Sequence, residues 1–223
     1  MTITLETTVG QIASEYPLAT RVFGRHHIDF CCGGGEPVGA VCLQQGLDPE
    51  AIMEEIHREI DTSNGDVQRW DGAPLDDLIQ HILTVYHAPL EEELDRLEAM
   101  ARKVLDVHGS KEPVMLPELL NVYLALKTEL VPHMRKEEDI LFPMILHGQG
   151  AMAGGPISVM RNEHDSAGAA LKRLRELTHD YQLREDACNT WRALWHGLAA
   201  LEEELNQHIH LENNILFPRA LAS

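Results

Sequence analysis

The sequence ELVPHMRKEEDILFP, at residues 129–143, decides the fold, because a close copy, ELNQHIHLENNILFP, follows at residues 204–218. The two copies share E-L, H, E and I-L-F-P at the same spacing. In each copy a histidine precedes a glutamate by four residues: His133 and Glu137 in the first, His208 and Glu212 in the second. A match of this length within one chain indicates a duplicated structural unit.

Both histidine–glutamate pairs lie on what is otherwise the buried face of a predicted helix. Residues four apart share one face, separated by about 6 Å along the axis. Apolar residues such as Leu130, Ile140 and Leu141 recur around the first pair at helical spacing, and the second pair has the same surroundings. An ionised carboxylate is not buried there without compensation. We therefore interpret the pairs as ligands of two metal ions or of one shared dinuclear centre.

Four long amphipathic segments joined by short breaks make up the rest of the pattern. Connections of this length predict an antiparallel four-helix bundle, so we assign the chain to the all-α class. A small helical domain with a Cys-Cys turn is predicted at residues 1–62, a linker at 63–73 and the bundle at 74–223. The predicted bundle helices run from Pro74 to about His108, from Leu116 to Leu146, from Pro156 to about Tyr181, and from about Asp186 to Phe217.

The N-terminal region contains two strong helix starts and one unusual turn. Thr8 can cap a first helix, and Asp48 followed by Pro49 marks the start of another. Cys31 and Cys32 precede three glycines, which predicts a flexible, exposed dithiol. Adjacent cysteines rarely form an unstrained disulfide. One interpretation is redox chemistry or transient binding of metal or NO by the thiolates, and the other is two small apolar residues in a turn.

The composition excludes several functional classes. The 223 residues include 36 acidic and 18 basic side chains, and the net charge of −18 argues against binding nucleic acid or an anionic membrane. No segment approaches the roughly 20 apolar residues of a membrane span. Residues 1–10 lack the basic start and apolar run of a secretory signal. The four cysteines form no spaced framework, so we expect a cytoplasmic protein with reduced thiols.

The first and third bundle helices each supply one further candidate ligand. His164 lies within the apolar stripe of the third helix. In the first helix, His87 lies at the edge of the stripe and His81 lies nearly opposite, so we select His87. His210 follows His208 by two residues and points to the other side of its helix, so we predict that it faces solvent.

These choices define six candidate ligands of a dinuclear transition-metal centre: His87, His133, Glu137, His164, His208 and Glu212. Four imidazoles with two bridging carboxylates favour iron or manganese over a structural zinc site. Six protein ligands leave coordination positions open on two metal ions. An oxo or hydroxo bridge, O2 or NO can occupy those positions.

Two further glutamates and two prolines lie close to the candidate ligands. Glu129 and Glu204 each precede a ligand histidine by one turn, at the edge of the stripe. They are interpreted either as residues that orient the ligands or line an access path, or as ordinary edge carboxylates. Pro89 and Pro132 fall inside predicted helices, where a proline frees a carbonyl and bends the axis.

Taken together, the motifs resemble the Repair of Iron Centers family, hemerythrin-like di-iron proteins of the YtfE/ScdA type. The segment IDFCCGG at residues 28–34 is similar to the cysteine-pair domain of that family. The segments HMRKEE at 133–138, EHD at 163–165 and LENN at 211–214 are similar to its hemerythrin-like domain. The resemblance covers essentially the whole chain. It implies a non-haem centre of two Fe ions, oxo or hydroxo bridged, on the six candidate ligands, with the cysteine pair as redox or transfer thiols.

The resemblance also implies a function. It predicts a cytoplasmic protein that restores iron–sulfur clusters after nitrosative or oxidative stress, with damaged iron–sulfur proteins as partners, by donating iron from a labile carboxylate-bridged centre. An enzyme that reduces NO at the two irons, and a module that senses or stores O2 or NO, are the alternatives. Hemerythrin relatives use five histidines where this chain supplies four, which favours a more open centre. A homodimer is compatible with the family.

Overall fold

The N-terminal unit consists of four short helices around a small apolar core. The structure, a computed structural model, describes residues 3–62 and 68–223, so residues 63–67 of the predicted linker lie outside the described residues. The four helices are α1 (Val9–Glu15), α2 (Ala19–Arg25), α3 (Val38–Gln45) and α4 (Pro49–Thr62). Within the described ranges no strand is present, which agrees with the predicted all-α class.

Both predicted helix starts in this unit are confirmed. The Thr8 hydroxyl accepts the Gln11 backbone N–H at 3.3 Å, and the Gln11 side chain accepts the Thr8 backbone N–H at 3.3 Å. This reciprocal pair is a capping box, which satisfies two N–H groups at the start of α1. Asp48 Oδ1 accepts the Glu50 backbone N–H at 3.0 Å at the start of α4.

Four longer helices follow, and three of them contain a π-helical turn. The first consists of α5 (Leu75–His81), the π turn Ile82–His87 and α6 (Ala88–His108), and the second of α7 (Met115–Lys136), the π turn Glu137–Leu141 and α8 (Phe142–Leu146). The third is α9 (Gly154–Leu177). The fourth consists of α10 (Asn189–His210), the π turn Leu211–Leu216 and α11 (Phe217–Leu221). Helix α6 packs against α7 and α10, and α9 packs against the same two helices. The contacts close a four-helix bundle, as predicted.

Two predicted helix ends are corrected by the loop between α9 and α10. The third bundle helix ends at Leu177 rather than near Tyr181, because residues 179–181 all have positive φ angles. The fourth begins at Asn189 rather than near Asp186. Asp186 instead pairs with Lys111 at 3.0 Å, which holds it in the loop.

Each π turn is followed by one residue and then by a proline. That residue donates its N–H to a carbonyl five residues earlier: Ala88 to Leu83, Phe142 to Glu137, and Phe217 to Glu212. A proline has no N–H and crowds the carbonyl four residues before it. The wider turn accommodates the proline without ending the helix. Pro89 therefore lies in the first turn of α6, directly after a π turn, whereas Pro132 lies inside α7.

The second π turn overturns the predicted burial of Ile140. Its side chain is 52% exposed, while Leu141 and Phe142 are buried. The prediction applied 100° per residue through the whole helix, and a π turn adds a residue that rotates the following side chains. Ile215, the equivalent residue of the second copy, is buried because α1 packs on that π turn.

Candidate metal centre

Six buried side chains meet in the middle of the bundle, between two apolar clusters. They form two overlapping groups whose potential ligand atoms lie within 4.8 Å of one another: His87, Glu137, His208 and Glu212, and His133, Glu137, His164 and Glu212. Both glutamates belong to both groups. The structure therefore brings together the six side chains selected from the sequence, and His81 is not among them.

The four imidazoles are arranged as two pairs. The Nε2 atoms of His87 and His208 lie 3.2 Å apart, and those of His133 and His164 lie 3.1 Å apart. Each pair joins two helices of the bundle. Both nitrogens of a pair are directed at the same small volume, as ligands of one ion must be.

The two glutamates lie between these pairs and have no solvent exposure. The nitrogen–oxygen distances are 3.4 Å from Glu137 Oε2 to both His87 and His133, 3.2 Å from Glu212 Oε2 to His164, and 3.1 Å from Glu212 Oε1 to His208. Each carboxylate thus reaches one histidine of each pair. This is the arrangement that two bridging carboxylates of a dinuclear centre require.

Three of the four carboxylate oxygens make no hydrogen bond of acceptable geometry. They are both oxygens of Glu137 and Oε2 of Glu212. A buried carboxylate oxygen without a partner is costly, and a coordinated cation removes that cost. The donor set of imidazole nitrogen and carboxylate oxygen suits iron, manganese or zinc ions. The residues present therefore fit a pair of such ions.

Three of the imidazoles are oriented by an acceptor on the outer ring nitrogen, Nδ1. The distances are 3.0 Å from His87 to Glu138 Oε1, 2.9 Å from His133 to Glu163 Oε2, and 3.0 Å from His164 to Asn213 Oδ1. A proton on Nδ1 leaves the lone pair of Nε2 directed inward, where a metal ion binds. The fourth ring, of His208, stacks on Tyr86 with centroids 5.2 Å apart.

Sequence reasoning missed these three orienting residues and proposed Glu129 and Glu204 instead. Each orienting residue is adjacent to a ligand in sequence, yet it contacts a ligand on a different helix, which only the packing reveals. Glu129 and Glu204 are exposed, and neither hydrogen-bonds a ligand imidazole among the described residues. Glu129 does line a cavity of about 10 Å³ that adjoins His133 and His208, so the access-path interpretation remains a prediction.

Charge interactions within the centre favour a cation. Burial disfavours the charged form of His164, but Glu212 and Glu137 outweigh it and raise the pKa of His164 to about 9. Burial also disfavours the charged form of Glu212, but His208 and His164 hold its pKa well below the usual range. The two carboxylates thus stabilise positive charge at this point of the bundle.

The prediction that His210 faces solvent is wrong. Its side chain is only 2% exposed, its Nδ1 lies 3.3 Å from the Phe30 carbonyl, and burial lowers its pKa to about 4. The helical phasing was right, because His210 does point away from the centre. That side of α10 is covered by the N-terminal unit, which the helix pattern alone does not show.

The prediction of a flexible, exposed dithiol is also wrong. Cys31 is 5% exposed and Cys32 is half-buried, because the turn packs against the bundle. Asp29 Oδ1 accepts the backbone N–H groups of Cys31 and Cys32 at 3.0 and 2.9 Å. Asn214 Nδ2 donates to the Cys31 carbonyl at 3.2 Å. Hydrogen bonding to Cys32 and burial raise the pKa of Cys31.

One amide side chain connects the cysteine turn to a candidate ligand. Asn213 accepts from His164 Nδ1 through Oδ1 at 3.0 Å and donates through Nδ2 to the Cys31 carbonyl at 3.3 Å. In addition, Cys32 Sγ lies 3.6 Å from the His164 carbonyl. The cysteine pair is therefore a neighbour of the candidate metal centre.

Two segments of the chain match known protein families. Residues 78–220 match the hemerythrin HHE cation binding domain, and residues 5–59 match a domain of unknown function (DUF542). The iron-sulfur cluster repair protein YtfE of Cronobacter sakazakii is 43% identical over 215 residues, which are 96% of each chain. The chain belongs to the YtfE family. Proteins of the same name from Yersinia pseudotuberculosis and Yersinia pestis are 42% identical over 214 residues, again 96% of each chain.

Membership of the YtfE family confirms two predictions: the family resemblance of the motifs and the hemerythrin-like bundle. The cysteine turn of this YtfE-family chain lies in the segment that matches DUF542, and the six candidate ligands lie in the cation binding domain. Among residues 3–62 and 68–223, this YtfE-family chain has no helix both long and apolar enough to cross a membrane.

Proposed function

We propose that this protein repairs damaged iron–sulfur clusters and that its bundle centre binds two iron ions. The observation that carries the proposal is the sharing of Glu137 and Glu212 between two histidine pairs, with three buried oxygens that lack hydrogen bonds. Its relatives are named for iron–sulfur cluster repair, and they match the chain over almost its whole length.

The chain contributes ligands, orientation and shielding from water. His87 and His208 would hold one ion and His133 and His164 the other, with Glu137 and Glu212 available to both. When bound, the two irons supply exchangeable metal and open coordination positions for small ligands such as NO or O2. The outer hydrogen bonds fix the imidazole rings, and the apolar clusters on both sides exclude bulk water.

The ligand set favours release of iron as cargo for damaged clusters. Each ion would have two imidazoles of its own and would share both carboxylates, so the chain would not saturate a six-coordinate ion. If one ion left, the other would still offset part of the charge of the two buried carboxylates. We therefore assign iron donation as the repair activity, with damaged iron–sulfur proteins as partners.

The cavity beside the centre limits which molecules reach it. Its volume of about 10 Å³ corresponds to roughly one water molecule. The lining includes Leu90, Leu130 and Leu205 together with Glu129. As it stands, this space admits a ligand no larger than about one water molecule.

Reactivation of a cluster enzyme tests the proposal. The iron-loaded protein, prepared without oxygen, is added to a purified [4Fe–4S] dehydratase that NO has inactivated, and recovery of its activity is followed. We expect the wild type to restore activity faster than free Fe²⁺ at the same total iron. Glu137→Gln should lose iron and reactivation together. His196→Ala, an exposed change on α10, is the matched control. Recovery no faster than with free iron contradicts the proposal.

A further inference from the structure

A second cluster of potential ligand atoms lies outside the bundle centre, at the cysteine turn. One carboxylate oxygen of Asp29 and the sulfur atoms of Cys31 and Cys32 lie within 4.8 Å of one another. The two sulfurs are 3.7 Å apart, and Cys31 Sγ is 3.2 Å from Asp29 Oδ1. Asn206, on α10, adds an amide oxygen 3.5 Å from Cys31 Sγ.

The sulfur–sulfur distance is the one expected for two ligands of the same ion. Thiolates bind a tetrahedral divalent metal at about 2.3 Å, which places the two sulfurs roughly 3.8 Å apart. The observed 3.7 Å matches that separation without movement of the backbone. Both cysteines are free, and a disulfide between adjacent residues is strained. The arrangement is thus closer to a metal site than to a disulfide.

Hydrogen bonds hold these donors in place before any ion is bound. Asp29 Oδ1 fixes the backbone of both cysteines, and Asn213 and Asn214 both donate to the Cys31 carbonyl. Cys31 is buried against the bundle, whereas Asp29 is exposed. The cluster therefore has a fixed inner side, toward the bundle centre, and an open outer side toward solvent.

We propose that Asp29, Cys31 and Cys32 form a second metal site for a divalent cation, with the amide oxygen of Asn206 as a further donor. Two thiolates with oxygen ligands suit Fe²⁺, Co²⁺ or Zn²⁺. Binding releases the two thiol protons to solvent and involves no oxidation or reduction. The identification of Fe²⁺ as the natural occupant rests on the proposed function, since the Cys32 sulfur lies 3.6 Å from the carbonyl of His164, a residue of the bundle centre.

Cobalt absorption tests the existence of the site. Protein with an iron-filled bundle centre is titrated anaerobically with Co²⁺, and the thiolate-to-cobalt charge-transfer band is recorded. We expect one Co²⁺ per chain with this band. Asp29→Asn should weaken binding roughly tenfold, because the amide preserves the acceptor of the turn but removes the charge. Cys31→Ser leaves the Cys32 thiolate and should reduce the band by about half or more, whereas the double change Cys31→Ser with Cys32→Ser should abolish it.

A control variant and two outcomes make this test decisive. Cys188→Ser removes a cysteine outside the cluster and should leave the band unchanged. The iron content of each variant, measured separately, shows that the bundle remains folded. Absence of the band in the wild type, or its persistence in the double variant Cys31→Ser with Cys32→Ser, overturns the second site. Either result leaves cluster repair by the bundle centre untouched.

The passage of iron through this site is tested by the rate of repair. Asp29→Asn with full bundle iron should reactivate the NO-damaged dehydratase roughly tenfold more slowly than the wild type. A wild-type rate from this variant, together with weakened Co²⁺ binding, overturns the passage of iron through the cluster. Failure of the wild type itself to reactivate the enzyme is a different result and counts against the proposed function.

Discussion

At the scale of single residues, two buried carboxylates determine the properties of the centre. Glu137→Gln replaces a buried charge with a neutral amide of the same shape. We expect the metal-free variant to differ from the metal-free wild type by no more than about 1–2 kcal/mol, because the histidines beside Glu137 offset part of its charge when no metal is bound. Iron should stabilise the variant much less than the wild type. Urea unfolding with and without iron measures both effects, and equal stabilisation by iron contradicts the assignment.

His210 provides a second prediction at this scale. His210→Ala removes a buried ring from the contact between α10 and the cysteine turn and opens a small cavity there. We expect a loss of about 2 kcal/mol in the free energy of unfolding, with iron binding retained. His196→Ala, on the exposed face of the same helix, should change stability by less than about 0.5 kcal/mol. Loss of iron from the His210 variant is the contrary result.

Tyr123 should make the free energy of unfolding of the bundle fall at alkaline pH. Its hydroxyl is buried and donates to the Leu94 carbonyl at 2.7 Å, and burial raises its pKa above the usual value. A raised pKa in the folded state contributes stability that is present below about pH 10 and is lost as the pH rises further. The loss is about 1.4 kcal/mol per pH unit above that point. Tyr123→Phe should lose less stability than the wild type between pH 8 and pH 11 in urea unfolding.

The sequence predicts the ligands of the centre better than their surroundings. A histidine and a glutamate four apart on an apolar face leave few alternatives, so the six side chains could be selected from helix geometry alone. The residues that orient them are Glu138, Glu163 and Asn213. They lie at half-buried helix positions, where nothing in the sequence distinguishes them from other polar residues. Their role depends on which helix lies beside which, and that information is tertiary.

At the scale of secondary structure, each π turn contains one of the candidate metal ligands. His87 ends the first π turn, Glu137 begins the second, and Glu212 lies in the third. Pro143→Ala supplies an N–H that can bond to the carbonyl of Asp139 and tighten the second turn into an α-helix. We expect iron affinity to fall roughly tenfold with helical content unchanged. Pro132→Ala, which has no adjacent π turn, is the control. Unchanged affinity in both variants contradicts a positioning role for the turn.

The π turns also explain which side-chain directions helix geometry predicts wrongly. A constant 100° per residue places His133 and Glu137 correctly, because both precede the extra residue of the turn. It misplaces Ile140, which follows the start of that turn. The proline after Phe142 was a usable signal, since a long helix that continues past a proline must widen or bend there. Only the structure distinguishes these two responses.

At the scale of the whole molecule, the backbone of Gly34 lies close to the side chain of Asn214 where the two units meet. A Cβ atom on Gly34 would lie 2.8 Å from Asn214 Oδ1, too close for an unstrained contact. Gly34→Ala should therefore move the cysteine turn off the bundle and increase the reactivity of Cys31 toward a thiol reagent by roughly tenfold or more. Gly35→Ala is the matched control, because nothing lies within 4 Å of its added Cβ. Continued protection of Cys31 in the Gly34 variant contradicts the prediction.

The sequence indicated two units but not how they meet. The contact joins Phe30 and Cys31 to residues about 180 positions later, such as Asn214, through backbone carbonyls that every residue possesses. Neither partner is unusual by itself. The errors at His210 and at the cysteine turn have the same cause. Each was predicted to be exposed to solvent, whereas each is covered by the other unit.

The double hydrogen bond of Asn213 links events on the protein surface to the interior. If the cysteine turn moved outward, the bond from Asn213 to the Cys31 carbonyl would break, and the freed amide could then rotate away from His164. The imidazole would lose the acceptor that fixes the proton on its Nδ1. A displacement at the surface of the molecule would thereby reach the buried centre through one amide side chain.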